Sequence, residues 1–210
     1  MAALTHPRSN VGTGLTFGFA STALDGHVSG DLHLVLPGAP RSLLCVMDGL
    51  GHGPEAREAA DECAAVLRLH ANAAPLDLVQ YCHEGLRSTR GVAMTLATLD
   101  MSSGELAWVA IGNVEGMVLR PGQPRGSHHG AVIQRGGVVG YRLPPLKLSQ
   151  VWLEPGDVIV MATDGIRSGF VSSVDVTVEP QPLAEDIVRR FSKGTDDALA
   201  LVARYDGGGA

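Results

Sequence analysis

Nine apolar segments of strand length, each closed off by Gly, Pro, Asp or Ser, divide this chain: LTFGF (15–19), LHLVL (32–36), LLCVM (43–47), VAMTLATL (92–99), ELAWVAI (105–111), GMVLR (116–120), AVIQR (131–135), VIVMAT (158–163) and ALALVARY (198–205). Segments of this length bounded by turn formers read as strands. Two of them meet across DMSSGE (100–105), a hairpin signature, so the sheet is not purely parallel. Helical spacing occurs in only three stretches: 54–70 with Ala56, Ala60, Cys63 and Leu67, 75–88 with Val79, Cys82 and Leu86, and 182–193 with Leu183, Ile187 and Phe191. The first two open on a proline, which suits the first helical turn. The order of strands, two helices, many strands, one helix and one strand predicts an α+β fold. Nine strands need two packed, mainly antiparallel sheets, with the helices laid on them.

A length of 210 residues favours a single domain, 1–210, with room for a sizeable core. No internal repeat or long linker interrupts it. PGQPRGSHHG (121–130) reads as a polar loop in which His128 and His129 are solvated, and YDGGGA (205–210) reads as a frayed tail. The net charge of −6, with no basic run, argues against nucleic acid or an anionic membrane as partner and favours a small molecule or a protein. MAALTHPRSNVG lacks the pattern of a secretory signal, and no apolar run approaches the roughly 20 residues of a membrane span, so a cytoplasmic protein is expected. The three cysteines, Cys45, Cys63 and Cys82, lie within apolar patterns and form no C-x-x-C pair; they read as buried thiols in a reducing compartment.

The stretch LLCVMDGLGHGPEAREAADECAAVL (43–67) places Asp48 between a buried strand and a glycine-rich turn. An ionised carboxylate there is costly unless a cation, a helix N-terminus or an arginine compensates it. The construction recurs: VIVMAT runs into Asp164-Gly165, Asp196-Asp197 precedes the last strand, and Gly30-Asp31 precedes LHLVL. One Asp-Gly is ordinary turn chemistry. Four acidic positions at strand junctions, without Cys or helically spaced His beside them, suit hard cations such as Mg²⁺ or Mn²⁺. Glycine after the aspartate lets a backbone carbonyl reach the same ion. When a carboxylate bridges two ions, water held between them becomes a nucleophile suited to phosphorus. Two rival readings of this stretch are weaker. Gly51, Gly53 and Ala56 match a dinucleotide fingerprint, but Asp48 would repel a pyrophosphate and no second strand with a terminal acid follows. An EF-hand fails because the twelfth position from Asp48 is Ala59.

SGD (29–31), VMDGLGHG (46–53), RGVAMTLATLD (90–100), AIGNVEGMVLR (110–120), MATDGI (161–166) and TDDALALV (195–202) follow one another as in the PP2C-like serine/threonine phosphatases, and the chain resembles the bacterial SpoIIE-type branch over roughly 15–205. The likeness is nearest to its short, stand-alone, RsbX-like stressosome members, with Gly140-Tyr141 matching a further motif. The resemblance implies a β-sandwich flanked by helices, with two divalent cations, Mn²⁺ or Mg²⁺, at its edge. It implies that Asp48 bridges the ions and Gly49 lends its carbonyl. Asp164 and Asp196 would be further ligands of one ion, and Asp31 would hold ion-bound water. Water would then attack a phosphoserine or phosphothreonine in line, without a phosphoenzyme. The substrates implied are phosphorylated STAS-domain stressosome proteins, whose dephosphorylation resets the assembly. The alternatives are an anti-anti-sigma factor as substrate, or a non-catalytic binding module on the same fold. The chain departs from the family pattern in two places. His52 stands four residues beyond Asp48 rather than directly after Asp-Gly, as a candidate proton donor to the leaving oxygen, and Asn113 stands where a third-ion aspartate is found. Asp197 competes with Asp196 for the ligand position, and Arg41 is a candidate for holding phosphate.

Overall fold

The computed structural model describes residues 14–24, 28–124 and 126–208. Its strands are β1 (Leu15–Thr22), β2 (Asp31–Leu36), β3 (Arg41–Gly49), β4 (Val92–Asp100), β5 (Glu105–Ile111), β6 (Glu115–Leu119), β7 (Gly130–Ala131), β8 (Gln134–Arg135), β9 (Ser149–Trp152), β10 (Val158–Ala162) and β11 (Ala198–Tyr205). The α-helices are α1 (Pro54–Leu69), α2 (Pro75–Gly85) and α3 (Pro180–Phe191). One sheet has the order β1-β11-β10-β6-β7; the other runs β2-β3-β4-β5-β8, with β9 also on β5. Every pairing is antiparallel except the short β5–β8 contact. This is the α+β sandwich that the segment order predicts.

The packing explains why the central strands are apolar without a break. On β3, Leu44 and Val46 face the other sheet and meet Trp108, Met161 and Leu201. Their neighbours Leu43, Cys45 and Met47 face α1 and α2, packing with Ala60, Cys63, Leu67 and Cys82. On the far side α3 lays Leu183, Ala184 and Ile187 over Val160 and Val202. A strand covered on both faces loses the polar alternation of a half-exposed one. Full burial of one such leucine is worth about 2 kcal/mol. The three cysteines are free and buried, as their apolar setting predicts.

The structure departs from expectation in several places. AVIQR is not one strand: β7 and β8 take its two ends into different sheets. The strand β9 was missed because its solvent side is exposed and its run is short. The helix expected at 182–193 begins two residues earlier, on Pro180. The tail is tied down over its described part. The Tyr205 hydroxyl donates to the Met101 carbonyl at 3.1 Å and accepts from the Gly208 N–H at 3.2 Å. Residues 1–13, with the segment judged for a secretory signal, lie outside the described residues. Among the described residues no helix is long and apolar enough to cross a membrane.

The helix α3 sits so close to β1 that a Cβ on Gly18 would lie 2.3 Å from the Gln181 Cα. Gly18→Ala should therefore lower the unfolding free energy by about 3 kcal/mol, the upper range for overpacking, in urea denaturation. A loss below about 0.5 kcal/mol, the scale of an inconsequential surface change, would show that α3 is not seated this way.

Candidate functional site

Strand ends from both sheets meet at one end of the sandwich. The β2–β3 register sets Asp31 opposite Asp48. In the other sheet β10 and β11 are antiparallel neighbours; Asp164 lies just beyond the end of β10, and Asp196 and Asp197 lie just before β11. The glycine after each strand-end aspartate is needed for close backbone approach. A Cβ on Gly49 would lie 2.0 Å from the Ala56 carbonyl oxygen, and one on Gly165 would lie 1.8 Å from the Asp197 carbonyl oxygen. Gly49 also donates its N–H to the Gly30 carbonyl at 3.2 Å, tying the Asp31 and Asp48 strand ends together.

Four of the five carboxylates, Asp31, Asp164, Asp196 and Asp197, have distinct neutral partners. The Thr163 hydroxyl accepts the Leu199 N–H at 2.9 Å, which directs its own proton to Asp31 Oδ2 at 2.7 Å. The Asn113 amide donates to Asp164 Oδ2 at 2.6 Å. Asp197 is buried, and its two oxygens accept the N–H groups of Leu24 and Gly30 at 2.8 and 2.7 Å. Both oxygens of Asp197 are thus engaged in holding the β1–β2 connection. Asp196 is exposed; one oxygen accepts the Asp197 N–H at 2.9 Å, and the other makes no hydrogen bond among the described residues. The structure thereby separates two aspartates that the sequence left ambiguous.

Electrostatics mark the cluster as a place of mutual repulsion. Burial, then the neighbouring Asp48, pushes the Asp31 carboxyl well above the usual carboxylate range, against the Thr163 hydrogen bond. Burial pushes Asp48 up to about 7, with Asp164 and Asp196 adding to it and the Asn113 amide opposing. Among the described residues none of these aspartates forms an ion pair with Lys, Arg or His. As the side chains stand, no three His, Cys, Asp or Glu among the described residues are grouped so as to hold a metal ion; the hydrogen bonds above tie the carboxylates to neutral neighbours instead. All-oxygen, anionic and short of cationic partners, the donor set fits hard divalent cations.

Other candidates fall in different places. His52 is exposed in the turn between β3 and α1, and nothing among the described residues hydrogen-bonds to it. Arg41 pairs in register with Asp100, at the opposite end of β3 from Asp48 and on the order of 23 Å away at strand rise. It is not at the site. Arg90, which the sequence did not single out, lies over the turn after Asp48: a Cβ on Gly51 would come within 2.8 Å of its guanidinium, and it pairs with Glu55. Thr163 was also missed, because a threonine inside an apolar strand carries no signal of its partner. His128 is exposed, as expected of a loop residue, but His129 is not simply solvated; its Nε2 lies 3.3 Å from the Trp152 carbonyl oxygen and from Arg120. The strand β3 has antiparallel neighbours on both sides, which removes the βαβ context of a dinucleotide fingerprint.

A family profile, Stage II sporulation protein E (SpoIIE), matches residues 39–206. No curated protein matches the chain. Among solved structures, one from work on the bacterial stressosome, described as a modular system adapted to control secondary messenger signaling, is 28% identical, with 90% of this chain and 99% of that one covered and a TM-score of 0.81. RsbX in complex with magnesium has a TM-score of 0.80 at 15% identity, over 97% of this chain and 99% of that one. The PP2C phosphatase domain of the cell fate determinant SpoIIE from Bacillus subtilis, with a fragment of its regulatory domain, has a TM-score of 0.71 at 20% identity, over 93% of this chain and 64% of that one.

The shift on Asp48 fixes the sign of a pH effect. With a folded-state value of about 7 against an ordinary 3.8, the carboxyl keeps its proton in the folded chain after losing it in the unfolded one. Its favourable contribution is present below about pH 4 and lost as pH rises through about 7. His33, held down to about 4 by burial and by Arg57 and Arg68, has the opposite slope over part of that window, so the diagnostic quantity is a difference between variants. In EDTA, Asp48→Asn should melt higher than the unaltered chain at pH 8, with an advantage that shrinks toward pH 4. Mn²⁺ at pH 8 should raise the melting point of the unaltered chain more than that of the variant. Identical melting at both pH values would sink the repulsion argument.

Proposed function

This chain belongs to the SpoIIE family of PP2C-like protein phosphatases, and on that premise we propose that it is a metal-dependent phosphoserine/phosphothreonine phosphatase acting on STAS-domain stressosome proteins. The observation that carries the metal-dependent reading is the set of strand-end carboxylates from two sheets that lie together with neutral partners only. Asp48 and the Gly49 carbonyl would hold both of two divalent cations, Asp164 and Asp196 would complete the set on one of them, and Asp31 would act through water. Bound there, the cations would supply a water made nucleophilic near neutral pH and charge neutralisation for the phosphoryl oxygens.

The chain's own residues do the rest. Thr163 fixes one oxygen of Asp31 and leaves the other free to orient a water. Asp197 anchors the segment that carries Asp31 to the start of β11, so acids from the two sheets keep their spacing. His52, exposed in the turn after Asp48, takes the role of proton donor to the departing serine or threonine oxygen. The presence of Asp31, Asp48, Asp164 and Asp196 together argues against a non-catalytic binding module. The stressosome assignment is supported by the 28% identical structure and by the fold likeness to RsbX over nearly the whole of both chains.

Hydrolysis of p-nitrophenyl phosphate by the purified chain should require Mn²⁺ or Mg²⁺, vanish in EDTA and fall at least about 100-fold in Asp164→Asn, as expected when a group stabilising the transition state is lost. A phosphorylated STAS-domain scaffold should then be dephosphorylated faster than a phosphorylated anti-anti-sigma factor, and both faster than an unrelated phosphoserine protein. Equal rates on all three would remove the stressosome assignment and leave the phosphatase.

A further inference from the structure

The connection from β5 to β6 carries the chain from one sheet to the other, and Asn113 sits on it. Its backbone is held on both sides. Gly112, with φ +88°, brings the turn so close to β4 that a Cβ there would lie 2.4 Å from the Ala93 Cβ, and its N–H donates to the Arg135 carbonyl at 2.8 Å. On the other side the buried Thr95 hydroxyl donates to the Val114 carbonyl at 2.7 Å. A side chain on so fixed a turn has a defined reach.

That side chain is an amide with two N–H donors and no net charge. One donor reaches Asp164 Oδ2 at 2.6 Å, and the turn that carries the amide packs on Ala93, the residue paired in register with Asp48. Asp164 follows a strand of the first sheet and Asp48 ends a strand of the second, so the amide spans the seam of the sandwich at the place where the carboxylates repel. A carboxylate at 113 would add to the repulsion, and a Lys or Arg would neutralise the charge that a cation needs. We propose that Asn113 is a positioning residue, whose neutral amide holds Asp48 and Asp164 toward one another across the two sheets and thereby sets how tightly the pair takes a divalent cation. The proposal rests on the reading of these aspartates as metal ligands.

The test is isothermal titration of the full chain with Mn²⁺, alongside melting in EDTA and phosphatase kinetics at saturating Mn²⁺. Removal of an outer-shell partner commonly costs tenfold or more in metal affinity, so Asn113→Ala should weaken Mn²⁺ binding about tenfold. Asn113→Ser, which keeps one donor, should fall between the two. Asn113→Asp has the same shape without the donors; it should melt lower than the unaltered chain in EDTA and gain more from Mn²⁺. An inert filler of the turn would show neither effect. Unchanged Mn²⁺ affinity in Asn113→Ala, or unchanged melting of Asn113→Asp in EDTA, overturns the proposal while leaving the metal site standing. An unaltered chain that takes up no Mn²⁺ overturns the metal reading and this proposal with it.

Discussion

The register between β2 and β3 is the constraint on which the site depends. Strand side chains alternate faces, so a slip of one residue would take Asp48 away from Asp31 and send Leu44 and Val46 to the helix side. The register is pinned because β3 is buried on both faces, by the opposite sheet and by α1 with α2. The same apolar run that makes the core therefore delivers an acid to its edge at a fixed place. The repulsion created there is a local loss of stability that the surrounding core must offset.

A comparison within β10 shows what a purely structural carboxylate looks like. At its start, buried Asp157 receives two hydrogen bonds from the Arg120 guanidinium at 2.8 and 2.7 Å and one from the Glu154 N–H at 2.8 Å. At its other end Asp164 has an amide for a partner and Asp48 for a neighbour. Both acids flank the same apolar strand, yet one is neutralised and the other is kept short of positive charge. A buried acid held only for stability is expected to have the first arrangement.

Much of this was legible in the chain. Both-sided burial makes LLCVM and VIVMAT uniformly apolar, so the strands and the acids terminating them stand out, and proline openings with spaced alanines and leucines reveal α1 and α2. The short strands β7, β8 and β9 were not legible, because two to four half-exposed residues carry no periodicity and are placed by their neighbours. The difference between Asp196 and Asp197 was equally hidden. It rests on the N–H groups of Leu24 and Gly30, more than 160 residues away in sequence. Thr163 and Arg90 likewise take their meaning from long-range packing, whereas Arg41, near Asp48 in sequence, is carried away by the length of an extended strand.

The choice of ties within the acidic cluster follows one logic. Asp31 is held by a hydroxyl, Asp164 by an amide and Asp197 by two backbone N–H groups, and all of these donors are neutral. A lysine or arginine would stabilise any of these acids more, since charge-assisted hydrogen bonds are about twice as strong. It would also cancel the field that draws a divalent cation, and it would have to be displaced before one could bind. Neutral donors orient the oxygens while leaving their charge in place. The fold thus supplies direction from its own hydrogen bonds and keeps the electrostatic attraction for a cation from solution, which is the division of labour a reusable metal site requires.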